Sequence, residues 1–393
     1  MSKSLFLQLL ISSGITVLPA AAGLPVIDHP TVHVIRTPSG GIQPQAAVDA
    51  GGTVHLVFYR GDPSHGDIYY TRRARKSESF SSPVRVNSQE GSAMAMGSIR
   101  GAQMTLGKAG RVHIVWNGAG QGAKKVTIAK KETTPLLYTR LSDSGQGFEP
   151  ERNLLTCSAG LDGGSSVAAD AHGNVYVFWQ AGSSGGTEDE SGRTLFVARS
   201  QDEGKTFATE RPAIPNLIGA CPCCGMRAFA EPSGAVYVLF RAAKDLTNRD
   251  ELLLFSPKPG SPFAILQSFP WRTGSCPMSS ASLNVAPGGA VAAWETAGQV
   301  YFATINGKSG RVSEPASPGN GTGRKHPAIV TNSRDDVLLV WTEGTGWAKG
   351  GAVAWKVYDH ARHRLDNGQA DGLPVWSLPT AIAEPDGSFT IIY

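Results

Sequence analysis

A short apolar segment that ends in an aromatic residue recurs seven times in this chain, each time after a Gly, Asp or Asn turn. The segments are Val54–Tyr59, Val112–Trp116, Val175–Trp179, Val236–Phe240, Val291–Trp294, Val337–Trp341 and Phe389–Tyr393. They start 58, 63, 61, 55, 46 and 52 residues apart. This spacing is too long for a two-helix solenoid repeat and fits a four-stranded propeller blade with long loops. One blade cannot bury both faces of its sheet, so the repeat predicts a ring of blades whose loops converge on a functional site.

The composition is that of a turn-rich globular β protein. The 393 residues include 47 Gly and 25 Pro, hydrophobic residues make up 41%, and no Gly-X-Y period is present. We therefore expect an all-β fold, a β-propeller of four-stranded antiparallel blades. Seven blades fit the repeat, and six remain the alternative because the last unit is incomplete.

Each unit contains candidate strands in the order A to D, with strand A innermost. In the third unit these are Ser165–Ala169, Val175–Trp179, Thr194–Arg199 and Phe207–Ile214. The fourth strands of the first two units are expected at Phe80–Val86 and Phe148–Leu154. The last unit has only Thr380–Ala383 and Ser388–Tyr393. We expect Thr31–Arg36 to supply its missing outer strand and close the ring.

The N-terminal residues have the pattern of a secretory signal. Lys3 precedes the apolar run Leu5–Leu18, and Ala20-Ala21-Ala22 forms a small-residue cleavage site. We expect residues 1–22 to be a signal peptide and 23–393 a single propeller domain. The interpretation implies a secreted or periplasmic protein with no membrane span after cleavage.

The charge balance argues against a nucleic-acid partner. The chain carries 36 basic and 32 acidic residues, a net charge of +4, and removal of Lys3 with the signal leaves 35 − 32 = +3. Without a polybasic run, this excess does not favour nucleic acid. We expect a monomer.

The segment between strands C and D of the third unit reads Ser-Gln-Asp-Glu-Gly-Lys-Thr-Phe. It contains Ser200, Asp202, Gly204 and Phe207 at the positions of an Asp-box, a structural hairpin. The aspartate accepts hydrogen bonds from amides in the turn, the glycine supplies a positive φ, and the aromatic residue anchors the hairpin to the blade.

Eroded copies of the box occur at residues 142–148 and 76–80, at the same place in the preceding units. With these motifs the chain resembles the sialidase-like, Asp-box (BNR-repeat) propeller superfamily over nearly all of its mature length. The resemblance implies an exported propeller that binds or hydrolyses an extracellular glycan through its loop face.

A sialidase of this superfamily would need an arginine cluster, a Tyr nucleophile paired with a Glu, and an Asp acid/base. Arg100, Arg227 and Arg324 lie before or in strand A of alternate units and are the candidate anion-binding residues. The family's Phe/Tyr-Arg-Ile-Pro stretch is Ile42-Gln43-Pro44-Gln45 here, so the catalytic set is not complete by motif. Glu295 and Glu343 are the candidate catalytic residues, and whether the protein is a glycoside hydrolase stays open.

All five cysteines lie in three successive loops that lead from strand D to the next strand A. Cys221 and Cys276 both lie 15 residues before the second strand of their unit, and Met278 matches Cys223 in position. Adjacent blades should therefore bring Cys221, Cys223, Cys224 and Cys276 together beside the channel, with Met278 among them. Cys157 lies in the preceding loop and is a further candidate for the cluster.

Two interpretations of this cysteine cluster remain open. An exported protein is oxidised, so the cysteines can form disulfides that join neighbouring loops. Alternatively, the thiols with Met278 and Met226 can bind a soft metal, copper ahead of zinc, with His326 as the nearest imidazole. The chain would then be a metal-binding or redox propeller.

The B–C loop of the sixth unit resembles a sugar-binding element. It reads Glu343-Gly344-Thr345-Gly346-Trp347, and a glycine-flanked tryptophan can stack on a pyranose while a carboxylate bonds its hydroxyls. Trp347 is thus a candidate ligand-binding residue. Three function classes remain: a glycan-directed propeller, a metal or redox propeller, and a non-catalytic interaction scaffold.

Overall fold

Seven small antiparallel sheets surround a central channel, so the propeller has the seven blades that the repeat predicts. This computed structural model describes residues 29–119, 121–183, 189–216, 218–245 and 247–393. The expected signal peptide, 1–22, lies outside these residues.

The strands follow the predicted A-to-D order in each blade. Blade 1 consists of Ile42–Val48, Val54–Asp62, His65–Arg73 and Val84–Arg85. Blade 2 consists of Gln103–Leu106, Val112–Asn117, Leu136–Arg140 and Arg152–Asn153. Blade 3 consists of Ser166–Ala169, Val175–Ser183, Arg193–Ser200 and Arg211–Pro212. Blade 4 consists of Arg227–Ala230, Val236–Arg241, Glu251–Ser256 and Ala264–Phe269, and blade 5 of Ala281–Ala286, Gly289–Thr296 and Gln299–Asn306. Blade 6 consists of Arg324–Thr331, Val337–Glu343, Gly351–Tyr358 and Arg364–Leu373. Blade 7 consists of Thr380–Ala383, Phe389–Ile392 and the N-terminal strand Val32–Ile35.

The remaining elements are short. Val126–Ile128 and Lys131–Thr133 form a hairpin in the B–C connection of blade 2, and Ser158–Ala159 pairs with the end of strand B of blade 3. Single 3-10 turns occur at Pro38–Gly40, Lys108–Gly110 and Glu190–Gly192. No helix in the described ranges is long and apolar enough to cross a membrane.

The apolar core is divided into clusters that each lie between two adjacent blades. One cluster joins Tyr59 of blade 1 to Trp116 of blade 2, and the next joins Tyr138 to Trp179 of blade 3. Each B strand is therefore covered on both faces by neighbouring blades. This burial explains why these strands appear in the sequence as continuous apolar runs rather than as an alternating pattern.

The fourth strands are shorter than predicted. The expected segments Phe80–Val86, Phe148–Leu154 and Phe207–Ile214 contain strands of only two residues each, and the sheet of blade 5 has three strands. The aromatic residue that opens each segment serves as an anchor for the turn instead. Phe207 packs edge-on against Tyr138, with ring centroids 4.8 Å apart.

The hairpin around Asp202, predicted as an Asp-box, is closed by hydrogen bonds to the Asp202 side chain. The Asp202 carboxylate accepts hydrogen bonds from the Ser200 hydroxyl at 2.7 Å and from the amide and hydroxyl of Thr206 at 2.9 and 2.6 Å. Gly204 has a φ of 78°, a left-handed conformation that favours glycine. These bonds join strand C of blade 3 to the following segment.

The ring closes as predicted, by pairing of the two ends of the chain. Val32–Ile35 is the outer strand of blade 7 and runs parallel to Phe389–Ile392 over four residue pairs. The Thr37 amide also donates to the Tyr393 carbonyl at 2.8 Å. This pairing covers an edge of blade 7 that would otherwise be open.

We expect Val34 and His33 of the closing strand to differ in their contribution to stability. Val34 packs against the core between blades 6 and 7, whereas His33 is exposed. Val34→Asn should lower the free energy of unfolding by roughly 1–3 kcal/mol, because it places a polar amide against an apolar cluster. The matched control His33→Asn should change it by less than about 0.5 kcal/mol. Urea unfolding monitored by circular dichroism measures both, and equal effects would contradict the assigned register.

Candidate functional site

The structure brings four of the five cysteines together. Cys221, Cys223 and Cys224 lie in the loop that enters blade 4, and Cys276 lies in the loop that enters blade 5. Cys223 and Cys276 form a disulfide with their Cα atoms 6.8 Å apart. The Cys221 sulfur lies 3.6 Å from that of Cys223 and 2.9 Å from that of Cys224. Cys157 is not part of this group, because its thiol donates to the Glu210 carbonyl.

The four sulfurs differ in their access to solvent. Cys276 is exposed and Cys223 is half-buried. Cys221 and Cys224 are buried, and they pack with Ala243 in a small cluster. The disulfide therefore lies at the surface, and the two free thiols lie behind it.

The two buried thiols are chemically distinct. Burial raises the pKa of Cys224, but the hydrogen bond with Cys221 and the nearby charge of Arg241 outweigh it and lower the pKa to about 6. The Ser279 hydroxyl donates to the same sulfur at 3.5 Å. The pKa of Cys221 is raised, first by its hydrogen bond with Cys224 and then by burial. Cys224 is thus the thiol that ionises first.

A buried network of charged groups lies beneath these thiols. The Arg241 guanidinium contacts the Glu251 carboxylate at 3.0 Å, and its Nε donates to Ser279 at 3.2 Å. The Lys325 ammonium lies 3.3 Å from the Glu295 carboxylate. Burial raises the pKa of both Glu251 and Glu295 to about 7, despite the nearby cations. Glu295, a candidate catalytic residue, is therefore part of the interior.

The cysteines could hold a metal ion, but the disulfide removes two of the predicted ligands. The sulfurs of Cys221, Cys223 and Cys224 all lie within 4.8 Å of one another. A structural zinc site uses four ligands, whereas only two thiols remain free here. His326 forms a hydrogen bond with Ser280 at 3.1 Å. As arranged in the structure, the cysteines fit a disulfide better than a four-ligand zinc centre.

A cavity next to the cysteine loops contains the predicted Trp347. It has a volume of about 140 Å³ and is lined by residues that include Met278, Lys325, Trp347, Lys349 and Trp376. Trp347 is 61% exposed, and its ring meets that of Trp376 edge-on with centroids 6.2 Å apart. We call this feature the tryptophan cavity. Met278, predicted as a metal ligand, lines this cavity.

Several residues that line the tryptophan cavity have a left-handed backbone. The φ angles of Ser98, Met278, His326 and Trp376 are 64°, 47°, 50° and 57°. Non-glycine residues seldom adopt this conformation, and for a bulky side chain it is an outlier. Such conformations concentrate at functional sites.

Two of the three predicted arginines are held by carboxylates of their own. Arg100 forms an ion pair with Asp162, and Arg324 forms one with Glu343 at 3.2 Å. Glu343 also accepts a hydrogen bond from the Trp341 indole at 2.7 Å. Glu343, the other candidate catalytic residue, therefore stabilises blade 6 in this structure.

Arg227 is the predicted arginine that lines the central channel. Its guanidinium donates to the Gln103 amide oxygen on strand A of blade 2. Burial lowers its pKa to about 10, and no acidic partner is found among the described residues. Among the described residues, Arg227 contacts Gln103, Arg100 contacts Asp162 and Arg324 contacts Glu343. The three guanidinium groups therefore do not share one binding partner.

Sequence reasoning missed Trp376, although a signal for it was present. Cys223, Met278 and Trp376 each lie 13 residues before the repeated apolar segment of their unit, as 236 − 223, 291 − 278 and 389 − 376 show. The same blade position therefore brings all three residues toward the loop face. The offsets do not identify Lys325 as a residue of the site, because its ion pair with Glu295 joins blade 6 to blade 5 and leaves no pattern within one repeat.

Comparisons with solved structures show the fold. The GH93 α-L-arabinofuranosidase of Fusarium graminearum, solved with arabinobiose, has a TM-score of 0.53 and 11% identity, covering 84% of this chain and 98% of its own. The six-bladed fucose-binding lectin of Aleuria aurantia has a TM-score of 0.50 and 13% identity, covering 85% and 95%. A Hadza microbial sialidase has a TM-score of 0.49 and 16% identity, covering 80% and 68%. No protein-family model and no curated protein sequence matches the chain.

We expect Glu295 to make stability depend on pH. The folded chain keeps its proton up to about pH 7, whereas the unfolded chain releases it near ~4.3. Between about pH 4.5 and 7, folded Glu295 therefore holds a proton that the unfolded chain has released. The stability that this proton contributes to the folded state is lost as the pH rises through that range.

Glu295→Gln removes this titration. Its free energy of unfolding relative to wild type should rise by roughly 3 kcal/mol between pH 4.5 and 7.5. Urea unfolding at several pH values gives the difference, and Glu90→Gln serves as the exposed control. A Glu295→Gln difference that stays constant with pH would contradict the assignment.

Proposed function

We propose that this protein is an exported carbohydrate-binding propeller that takes an acidic sugar in the tryptophan cavity. The observation that carries the proposal is the pair Trp347 and Trp376, which form two sides of one cavity on the loop face. Binding requires no covalent step and uses only groups that the structure describes.

The aromatic side chains suit a sugar ring. Trp347 is the most exposed large hydrophobic residue in the described ranges, at 61%, and it stands in a loop whose other residues are polar or small. An indole offers a flat apolar surface and a polar N–H. The volume of about 140 Å³ is below the roughly 300–1,000 Å³ typical of drug-sized ligands. It therefore favours a single sugar unit over a long oligosaccharide.

The charges around the cavity favour an acidic sugar. The Lys325 ammonium lies 3.3 Å from the Glu295 carboxyl group and donates to the Pro277 carbonyl at 2.8 Å, so it already has protein partners. Lys349 is exposed and forms no ion pair with any described residue. Its ammonium group is thus available for a sugar carboxylate, as in a uronic or sialic acid.

The lining supports binding rather than hydrolysis. Most glycoside hydrolases place two carboxyl groups at the scissile bond, and sialidases use a tyrosine nucleophile. The described residues that line the cavity include no Asp, Glu or Tyr. Glu295 and Glu343 are held in ion pairs with Lys325 and Arg324.

The fold and the disulfide support the rest of the proposal. The arabinofuranosidase and the fucose-binding lectin are propellers described with sugar ligands. The Cys223–Cys276 disulfide suits the oxidising compartment that an exported protein enters. The expected signal peptide at residues 1–22 agrees with this location.

Substitution of Trp347 should abolish most of the binding. We expect Trp347→Ala to weaken the affinity for uronic or sialic acid glycans about tenfold or more, because the stacking surface is lost. Trp347→Phe should retain part of it. Isothermal titration calorimetry against a panel of neutral and acidic sugars gives the affinities.

Two further variants make the test specific. Lys349→Ala should weaken binding of acidic sugars and leave neutral sugars unchanged, whereas Ile265→Ala removes an exposed apolar side chain on an outer strand and should have no effect. The proposal fails if the wild type binds no sugar or if Trp347→Ala binds as well as wild type. Release of product from fluorogenic glycosides would show hydrolysis instead.

A further inference from the structure

The cysteine cluster contains two pairs of sulfurs with different exposure. The outer pair is the disulfide Cys223–Cys276, and the inner pair is the two buried thiols of Cys221 and Cys224. Cys221 stands between them, with its sulfur 3.6 Å from that of Cys223 and 2.9 Å from that of Cys224. A thiol placed this close to a disulfide is positioned for exchange with it.

We propose that these four cysteines form a thiol–disulfide relay in which one disulfide passes between the outer pair and the inner pair. The activity is separate from sugar binding and uses neither tryptophan of the cavity. Its external substrates are thiols, which react with the outer pair at the surface.

The internal exchange is balanced without any added oxidant. The Cys221 thiol first passes its proton to the Cys224 sulfur 2.9 Å away. The Cys221 thiolate then attacks the Cys223 sulfur, so a Cys221–Cys223 bond forms and the bond to Cys276 breaks. The Cys224 sulfur next attacks Cys221, forming a Cys221–Cys224 disulfide and releasing Cys223. Two electrons move from the inner pair to the outer pair, and the protons of the inner pair end on the released Cys223 and Cys276 sulfurs.

The inner pair has the spacing of a redox dithiol. Cys221-Pro222-Cys223-Cys224 is a Cys-X-X-Cys sequence, an arrangement that occurs in disulfide oxidoreductases. A turn with a 3.4 Å hydrogen bond from the Cys224 amide to the Cys221 carbonyl holds the two residues together. The inner disulfide can therefore form within one loop.

Backbone hydrogen bonds fix the position of the loop that carries Cys221, Cys223 and Cys224 relative to the loop that carries Cys276. The Cys221 amide donates to the Arg241 carbonyl at 2.9 Å, and the Gly225 amide donates to the Ser279 carbonyl at 2.9 Å. These bonds fix the loop that enters blade 4 against its own blade and against the loop that carries Cys276. The sulfurs thus stay within reach when the outer disulfide opens.

The outer pair is the entry point for external thiols. Cys276 is exposed, whereas the inner sulfurs are covered. An external thiolate that attacks the outer disulfide forms a mixed disulfide with one cysteine and releases the other. A second external thiol then frees the protein sulfur, so two thiols become one disulfide and the outer pair becomes a dithiol.

The location of the disulfide in partly reduced protein tests the relay. The full-length chain is equilibrated in glutathione redox buffers, quenched in acid and alkylated. Mass spectrometry then maps the bonds in molecules that hold one disulfide. We expect both the Cys223–Cys276 and the Cys221–Cys224 linkage, in proportions that are restored after the one-disulfide species is isolated and re-equilibrated.

Two variants provide the comparison. Cys224→Ser should lose the inner linkage completely and keep the outer one, whereas Cys157→Ser, outside the cluster, should give the wild-type distribution. If Cys224→Ser does not fold, the disulfide positions found in the wild-type protein still test whether the inner linkage forms.

Two results would overturn the proposal. The first is a Cys223–Cys276 linkage in every one-disulfide molecule, with Cys221 and Cys224 always recovered as alkylated thiols. The second is stoichiometric uptake of Cu(I) or Zn(II) by the reduced chain with protection of the four sulfurs from alkylation, which would identify a metal centre.

Discussion

The parallel pairing of the chain ends is the constraint on which the other parts of this propeller depend. The six core clusters between consecutive blades each contain eleven to eighteen buried residues. Among the described residues, the cluster that joins blade 7 to blade 1 has three buried members, Leu56, Phe58 and Ile392, with partly buried side chains such as Ile35 packed against them. Hydrogen bonds between Val32–Ile35 and Phe389–Ile392 therefore carry much of the closure. Closure also brings Gly97 and Ser98, from the loop that enters blade 2, to the tryptophan cavity, whose other lining residues come from blades 5, 6 and 7.

A second constraint is the buried charge network below the cysteines. Arg241 contacts Glu251 within blade 4, and it donates to Ser279 and to the Glu295 carbonyl of blade 5. Removal of one partner from such a network leaves an uncompensated buried charge, which is strongly destabilising. The network thus fixes two blades relative to each other at the place where the disulfide crosses between their loops.

The sequence predicted the parts of the fold that depend on regular spacing. The seven B strands were found because both of their faces are buried, and equal offsets to the B strands of blades 4 and 5 placed Cys221 and Cys276 in neighbouring loops. The lengths of the D strands were not predictable, because the aromatic anchors Phe80, Phe148 and Phe207 have strand-like propensity but pack as parts of turns. The ion pairs of Arg100 with Asp162 and of Arg324 with Glu343 were also not predictable, since the direction of a side chain at a strand end depends on local backbone geometry.

The left-handed residues around the tryptophan cavity have a consequence for selection. Each of Ser98, Met278, His326 and Trp376 holds a conformation that costs of order 1–3 kcal/mol in a non-glycine residue. Glycine at any of these positions would relieve that cost and also remove a side chain from the cavity wall. Selection for stability alone would therefore favour the loss of this wall. The four residues around this opening thus lower the stability of the fold, as expected where a trade-off between stability and activity operates.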